Sequence, residues 1–447
     1  MNKKIAFISE HASPLATLGG VDSGGQNVYV AELPKHLAEL GYEIDIFTRK
    51  EKPGVIVNNW LPNIRVIYIK AGPETIIPKE DLLCFMDEFA NNMAQFLINE
   101  NVCYELIHAN FFMSAMVASN IKKRFAIPYA VTFHALGLVR QMHQKEADKF
   151  PASRIAIEKQ IVQDADHLIA ECPQDKDDLI QHYNADAARI TIVPCGFSNK
   201  EFYPVEKKQA RAILNLPQHE KILLQLGRMV PRKGVDNVIK AIGKIKTGLH
   251  AIHLVIVGGD ADMPDPKLTP EIERLMQIAK KANVRSRITF VGRKTRDVLK
   301  YYYSAADLFI TTPWYEPFGI TPLEAMACGT PVIGANVGGI KYSVADGKTG
   351  FLVPPNNPDA LAEKIEQALS CEMKLQDMSE NCIHRVNNLF TWKQVAICCD
   401  TLYRKIMAAN LDFKPSVNVI TNETDFALRR HKLLSSEQRM ATFASEN

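Results

Sequence analysis

The chain has 447 residues, 47% of them hydrophobic and 23% charged, with a net charge of +3. This is the balance of a globular protein of about two to three domains, and so small a charge gives no argument for nucleic-acid binding, while leaving room for a local phosphate site. Its nine cysteines follow no metal-ligand or disulfide spacing, so reduced, buried thiols in a cytoplasmic protein are expected.

Met1-Asn2-Lys3-Lys4 precedes a short apolar run, Ile5 to Ile8, which is a strand in length rather than a signal peptide. No stretch approaches the ~18 apolar residues of a membrane span. Ile5–Ser9 opens a βα alternation. Gln26–Leu40 is predicted helical, with Val30, Leu33, Leu37 and Leu40 on one face and Gly41 as its stop. Strands are predicted at Glu43–Thr48, Arg65–Lys70, Leu106–Ala109, Tyr129–Phe133, His167–Ala170 and Ile190–Val193. Helices fall near Asp81–Glu100, Met113–Arg124 and Ala156–Asp164. The strands are apolar throughout rather than alternating, which implies parallel sheets covered on both faces.

The rhythm restarts after Phe197–Pro204. A polar helix, Pro204–Leu216, leads to strands at Ile222–Leu226, His253–Val257, Ile288–Val291, Leu308–Thr311, Val332–Gly334 and Phe351–Val353, with helices between them. The expected organisation is two Rossmann-like domains, 1–200 and 201–390, a helix over 391–410 and a polar tail over 411–447. Two such halves leave a cleft between them, and ligands of these folds bind at the carboxyl ends of the strands.

Three motifs fall at those ends. Gly19-Gly20-Val21-Asp22-Ser23-Gly24-Gly25-Gln26-Asn27 joins the first strand to the first helix. Its glycines let backbone N–H groups approach an anion at a helix start. The spacing is not the dinucleotide fingerprint, which argues against an NAD(P) oxidoreductase. Gly227-Arg228-Met229-Val230-Pro231-Arg232-Lys233-Gly234 offers a guanidinium and an ammonium to a diphosphate. Glu316-Pro317-Phe318-Gly319-Ile320-Thr321-Pro322-Leu323-Glu324 carries two carboxylates suited to sugar and ribose hydroxyls. For Glu324 a plain helix-capping role is also open, with Thr321 as N-cap and Pro322 at the first helical position.

Glu-x7-Glu with Phe-Gly between, followed by Ala325-Met326-Ala327-Cys328-Gly329-Thr330-Pro331-Val332-Ile333, resembles the retaining glycosyltransferases of family 4, of the GT-B fold. The resemblance runs from about Lys4 to Met407 and takes in His134, Pro194-Cys195-Gly196-Phe197 and Asp346-Gly347-Lys348-Thr349-Gly350. Gly24-Gly25-Gln26-Asn27-Val28-Tyr29-Val30 is most similar to sucrose-phosphate synthases, sucrose synthases and the inositol-phosphate N-acetylglucosaminyltransferases of mycothiol synthesis.

The resemblance implies a hexosyl transfer from a nucleoside-diphosphate sugar, UDP-glucose first and UDP-N-acetylglucosamine second, with no other cofactor and no metal. Arg228 and Lys233 would bind the diphosphate, and Glu324 the ribose. Glu316 with the backbone of Phe318, Gly319 and Ile320 would hold the sugar. Gly24, Gly25 and Thr321 complete the donor site, and His134 lies near the reacting centre. Gln26, Lys79 and Arg154 would face a small, phosphorylated acceptor. Phe111 and Ala135 depart from the family pattern, standing where the inositol-phosphate enzymes have a tyrosine and a threonine on the phosphate. The final helix, Trp392–Met407, would pack back on the first domain.

Several features are decoys. Asp260-Ala261-Asp262 and Asp164-Ala165-Asp166 mimic a metal-binding pair but read as a loop and a helix end. Gly347-Lys348-Thr349 has Tyr342 where a P-loop needs glycine. His108 reads as a satisfied core histidine. Lys122-Lys123-Arg124 is too short a basic run to imply membrane association. A catalytically silent sugar-nucleotide sensor is the rival reading, and the oligomeric state is open.

Overall fold

The computed structural model describes residues 3–16, 24–245 and 251–411. The first part of the glycine loop and the tail beyond Leu411 lie outside them. The first half supplies β1 (Lys3–Ile8), β2 (Tyr42–Arg49), β3 (Val57–Leu61), β4 (Ile64–Ile69), β5 (Leu106–Asn110), β6 (Tyr129–Thr132), β7 (His167–Ala170) and β8 (Ile190–Ile192). They form one sheet in the order β3-β4-β2-β1-β5-β6-β7-β8. The second half supplies β9 (Lys221–Leu226), β10 (Ile252–Val257), β11 (Ile288–Gly292), β12 (Leu308–Thr311), β13 (Val332–Ala335) and β14 (Gly350–Val353), ordered β11-β10-β9-β12-β13-β14. The second sheet is parallel throughout.

Residues of β5, β6, β7 and β12 are buried along their whole length, as continuous apolar strands between helix layers must be. Phe89, Met93, Leu97, Val117, Ile121 and Ile161 cover one face of the first sheet. Val238, Ile242, Leu275, Leu361 and Ile365 do the same for the second. Each such side chain contributes roughly 1.5–3 kcal/mol of transfer free energy.

Four local expectations are corrected. β3 was not expected; it is an edge strand antiparallel to β4, carrying Asn58 and Asn59 and turning through Asn63 at φ 62°. The helix expected from Asp81 starts at Met86, after two 3-10 turns. Val30, Leu33 and Leu37 are fully buried, but Leu40 lies beyond the helix end, exposed. All nine cysteines are unbridged, yet Cys84, Cys103 and Cys398 are exposed rather than buried. Among the described residues no helix is long and apolar enough to cross a membrane.

The helix that starts at Trp392 lies against the first sheet. Trp392 meets the Tyr29 ring edge-on at 5.7 Å, and the Tyr42 hydroxyl donates to Asp400 at 2.8 Å. His108 Nδ1 sits 2.6 Å from the Tyr403 hydroxyl, and its Nε2 2.8 Å from Thr132 Oγ1. Burial, with His134 nearby, pushes the His108 imidazole down to about 3. An unfolded histidine titrates near 6.5, so below that pH the unfolded chain takes up a proton that the folded chain refuses. This contribution is complete above about pH 6.5 and is lost as pH falls toward 3, by up to about 1.4 kcal/mol per unit. His108→Gln is therefore expected to flatten the acid limb of stability by about 2 kcal/mol between about pH 6.5 and pH 5. Urea unfolding of both proteins across that range reads the difference in slope, and parallel curves would refute it.

Candidate functional site

After β9 the chain passes Arg228 into the 3-10 turn Pro231–Lys233. The loop after β12 lies beside it, tied by the Trp314 N–H to the Arg232 carbonyl at 2.9 Å. The Arg232 guanidinium lies over the Tyr315 ring, 5.3 Å from its centre. Gly338 backs the loop so closely that a Cβ there would overlap the Glu316 carbonyl oxygen at 1.8 Å. Held this way, the Glu316 carboxylate accepts a hydrogen bond from Lys233 Nζ. The two side chains are 14% and 20% exposed. Burial pushes the Glu316 carboxyl up, but Lys233, Arg232 and Arg228 outweigh it, and the net shift is down. Burial pushes the Lys233 amine down, only partly offset by Glu316. The result is a concentrated positive field around one carboxylate, at the carboxyl end of a parallel sheet.

Glu324 is not a capping residue. The N-cap is Gly319 at φ 90°, a value that lets the chain enter the helix at Ile320 and puts Thr321 and Pro322 inside the first turn. Glu324 is thus further along, 2% exposed, with Oε1 3.0 Å from Arg296 Nη1 and Oε2 accepting from the Tyr303 hydroxyl at 2.8 Å. Phe318 is buried beneath the same turn. Free N–H groups at such a helix start suit a phosphate or a sugar hydroxyl.

From the first sheet, Gly24 caps the helix Gly25–Glu39. A Cβ on Gly25 would lie 3.6 Å from Ile320 Cδ1, so the Gly25 helix start and the Glu316–Glu324 segment meet across the cleft. Gln26 Nε2 bonds Ser9 Oγ at 3.2 Å and the Asn110 carbonyl at 3.3 Å. His134, at φ 56°, has Nδ1 3.0 Å from Glu171 and Nε2 3.1 Å from Asn110 Oδ1, with its ring edge-on to Tyr29 at 4.9 Å. The lobes also touch where His143 stacks on Tyr315 at 5.0 Å and Lys341 Nζ donates to Gln174 at 2.6 Å. Between them lies a cavity of about 290 Å³, lined by Leu136, His143 and Asp175 from one side and Tyr315, Glu316 and Lys341 from the other.

The two cations assigned to an acceptor phosphate sit differently. Lys79 is half-buried, 3.4 Å from Glu80. Arg154 is 2% exposed, with Nε 2.8 Å from Glu158 Oε1 and Nη2 on the Ala135 carbonyl. Its guanidinium is boxed by Phe111, Phe112 and Phe150 at 4.5–4.9 Å. Its Nη1 is buried with no hydrogen-bond partner.

The decoy carboxylates are occupied. Tyr129 bonds both Asp164 and Asp166, and Lys122 pairs with Asp166 at 3.0 Å. Sequence reasoning missed Arg296, Tyr303, Glu171 and Asn110, all of which hold an expected site residue. Arg296 carried a usable signal: a basic residue at a strand-to-helix junction, the same signal that marked Lys233.

Comparison with known proteins bears on the family and the fold. Residues 23–200 match the profile described as Glycosyltransferase Family 4, and residues 206–385 that of Glycosyl transferases group 1. The D-inositol 3-phosphate glycosyltransferase of Corynebacterium glutamicum (strain R) is 34% identical over 91% of this chain and 97% of its own. The structure of sucrose-phosphate synthase from Thermosynechococcus elongatus superposes with a TM-score of 0.83 at 36% identity, over 91% of this chain and all of the other. Anabaena HepE, solved with UDP and glucose, shares the fold at a TM-score of 0.71 and 19% identity, over 90% of this chain and all of the other.

Proposed function

As the chain belongs to glycosyltransferase family 4, with the GT-B fold, we propose that it moves a glucosyl unit from UDP-glucose to a small phosphorylated sugar or polyol with retention at the anomeric carbon. The observation that carries this reading is the Lys233–Glu316 pair, set among Arg228 and Arg232, in the loop that leads to Ile320, which meets the Gly25 helix start. As the bond from the anomeric carbon to the diphosphate oxygen breaks, negative charge grows on that oxygen. Fixed cations stabilise this charge more than the ground state, which is where rate is gained. The sugar passes through an oxocarbenium-like state. The acceptor hydroxyl oxygen forms the new bond on the face the diphosphate leaves, and a diphosphate oxygen takes the hydroxyl proton. Glu324 holds the ribose, Glu316 and the helix start hold sugar hydroxyls, and His134 flanks the reacting carbon. Gly24, Gly25, Phe318, Gly319, Ile320 and Thr321 complete the donor site.

A phosphorylated acceptor is supported by the relatives' names, one acting on inositol 3-phosphate and the other named for sucrose phosphate. Gln26, Lys79 and Arg154 are its proposed contacts. With these cations present the reaction is proposed to need no metal, and the nine unbridged thiols support the proposal of a cytoplasmic enzyme. The test is a screen of UDP-sugars against free and phosphorylated sugars and inositols, with chelator present and released UDP and product anomer both measured. Turnover with a phosphorylated acceptor and an α-linked product is expected. Arg154→Ala should then raise the acceptor KM by at least about tenfold and leave the donor KM within about twofold, the scale of one charged hydrogen bond. UDP binding without turnover on any acceptor would favour a silent sensor instead.

A further inference from the structure

Arg296 opens the helix Arg296–Ala305 directly after β11. Its guanidinium serves two carboxylates at once. Nη1 reaches Glu324 Oε1 at 3.0 Å, while Nη2 and Nε reach Glu201 Oε2 at 2.8 and 3.1 Å. The flat face lies over the Phe202 ring, 4.9 Å from its centre. Glu201 and Phe202 belong to the segment that joins the two sheets, and Phe202 is buried edge-on to Tyr303. Tyr303 in turn holds the other oxygen of Glu324. Burial works against the Arg296 charge, but Glu324, Glu201 and Glu32 of the first-lobe helix outweigh it, so the guanidinium is held firmly charged.

A carboxylate oxygen accepts two hydrogen bonds. With Arg296 on one oxygen and Tyr303 on the other, each has one acceptor direction left, and those two directions are fixed. A vicinal diol needs that: two acceptors at a set separation and angle. Arg296 cannot neutralise the site, because one guanidinium is shared between two carboxylates. The remaining negative charge stays available to hydroxyl donors.

We propose that Arg296 is a positioning residue that orients Glu324 toward the ribose hydroxyls of the donor, itself anchored by Glu201 and Phe202 of the inter-sheet segment. This rests on the reading of Glu324 as the ribose carboxylate. Its signature is ribose discrimination, which general destabilisation would not move.

Calorimetric titration of UDP and 2′-deoxy-UDP against the full chain tests it. The wild type is expected to prefer UDP by about tenfold, the size of one hydrogen bond to a charged group. In Arg296→Met, UDP should weaken by about tenfold and 2′-deoxy-UDP by less than about twofold, so that the preference collapses. Arg296→Lys and Glu201→Gln, which keep more of the network, should each lose part of the preference. They carry the test if Arg296→Met does not fold. Equal weakening of both ligands in Arg296→Met overturns the proposal, as does a full preference kept in the two milder variants. A wild type that binds UDP without discrimination would instead remove the ribose reading of Glu324. A wild type that binds neither ligand would remove the donor site altogether.

Discussion

Lys233→Ala is expected to lower kcat/KM for the donor by about 10³-fold while the melting temperature moves by only a few degrees. The large effect follows from the role proposed for the ammonium at the moment of transfer. Lys233 is mostly screened from water, 20% exposed, so its attraction for charge on a departing diphosphate is far stronger than in bulk solvent. That charge exists fully only after the glycosidic bond has loosened, so the loss should fall on kcat more than on nucleotide affinity. The small effect on stability has its own cause. Lys233 leaves behind a carboxylate that still feels Arg232 and Arg228, so Glu316 is not stranded as an uncompensated charge. The measurement is steady-state kinetics by UDP release, with thermal unfolding as control. Turnover within tenfold of the wild type would remove Lys233 from the diphosphate site.

How much of this was legible in the sequence depended on the range of the interaction. The buried strands β5, β6, β7 and β12 announced themselves, because burial on both faces forces a run of apolar residues. β3 did not, since an edge strand with one wet side tolerates Asn58 and Asn59. The Glu316 and Lys233 motifs stood out at strand ends, but nothing local pairs two residues 83 positions apart. The capping rule failed at Thr321 because Gly319 can take a backbone angle that moves the helix start two residues upstream. Arg154 was legible as a cation and illegible as a buried one, because its box of Phe111, Phe112 and Phe150 is assembled from separate elements. Arg296 was overlooked for a related reason: its meaning lies in Glu201 and Glu324, which are far from it in sequence.

Glu316→Gln should separate binding from chemistry. In the wild type without nucleotide, Glu316 is the counter-ion of Lys233, so an incoming diphosphate must compete with it for the ammonium. Glutamine keeps the shape and one carbonyl acceptor but removes that competitor. UDP should therefore bind Glu316→Gln at least as tightly as wild type, and by up to about tenfold more tightly, the scale of one charge-assisted hydrogen bond. Transfer should nevertheless fall by about 10³-fold. On the proposed reading the carboxylate would both grip sugar hydroxyls and lie near the carbon that becomes positive as the bond breaks, and a neutral amide would do neither as well. The two effects have opposite signs, which no general loss of folding can produce. UDP titration and single-turnover transfer on the same preparation measure both. Weaker UDP binding together with near-normal transfer would show that Glu316 serves only to hold Lys233 in place and never meets the sugar.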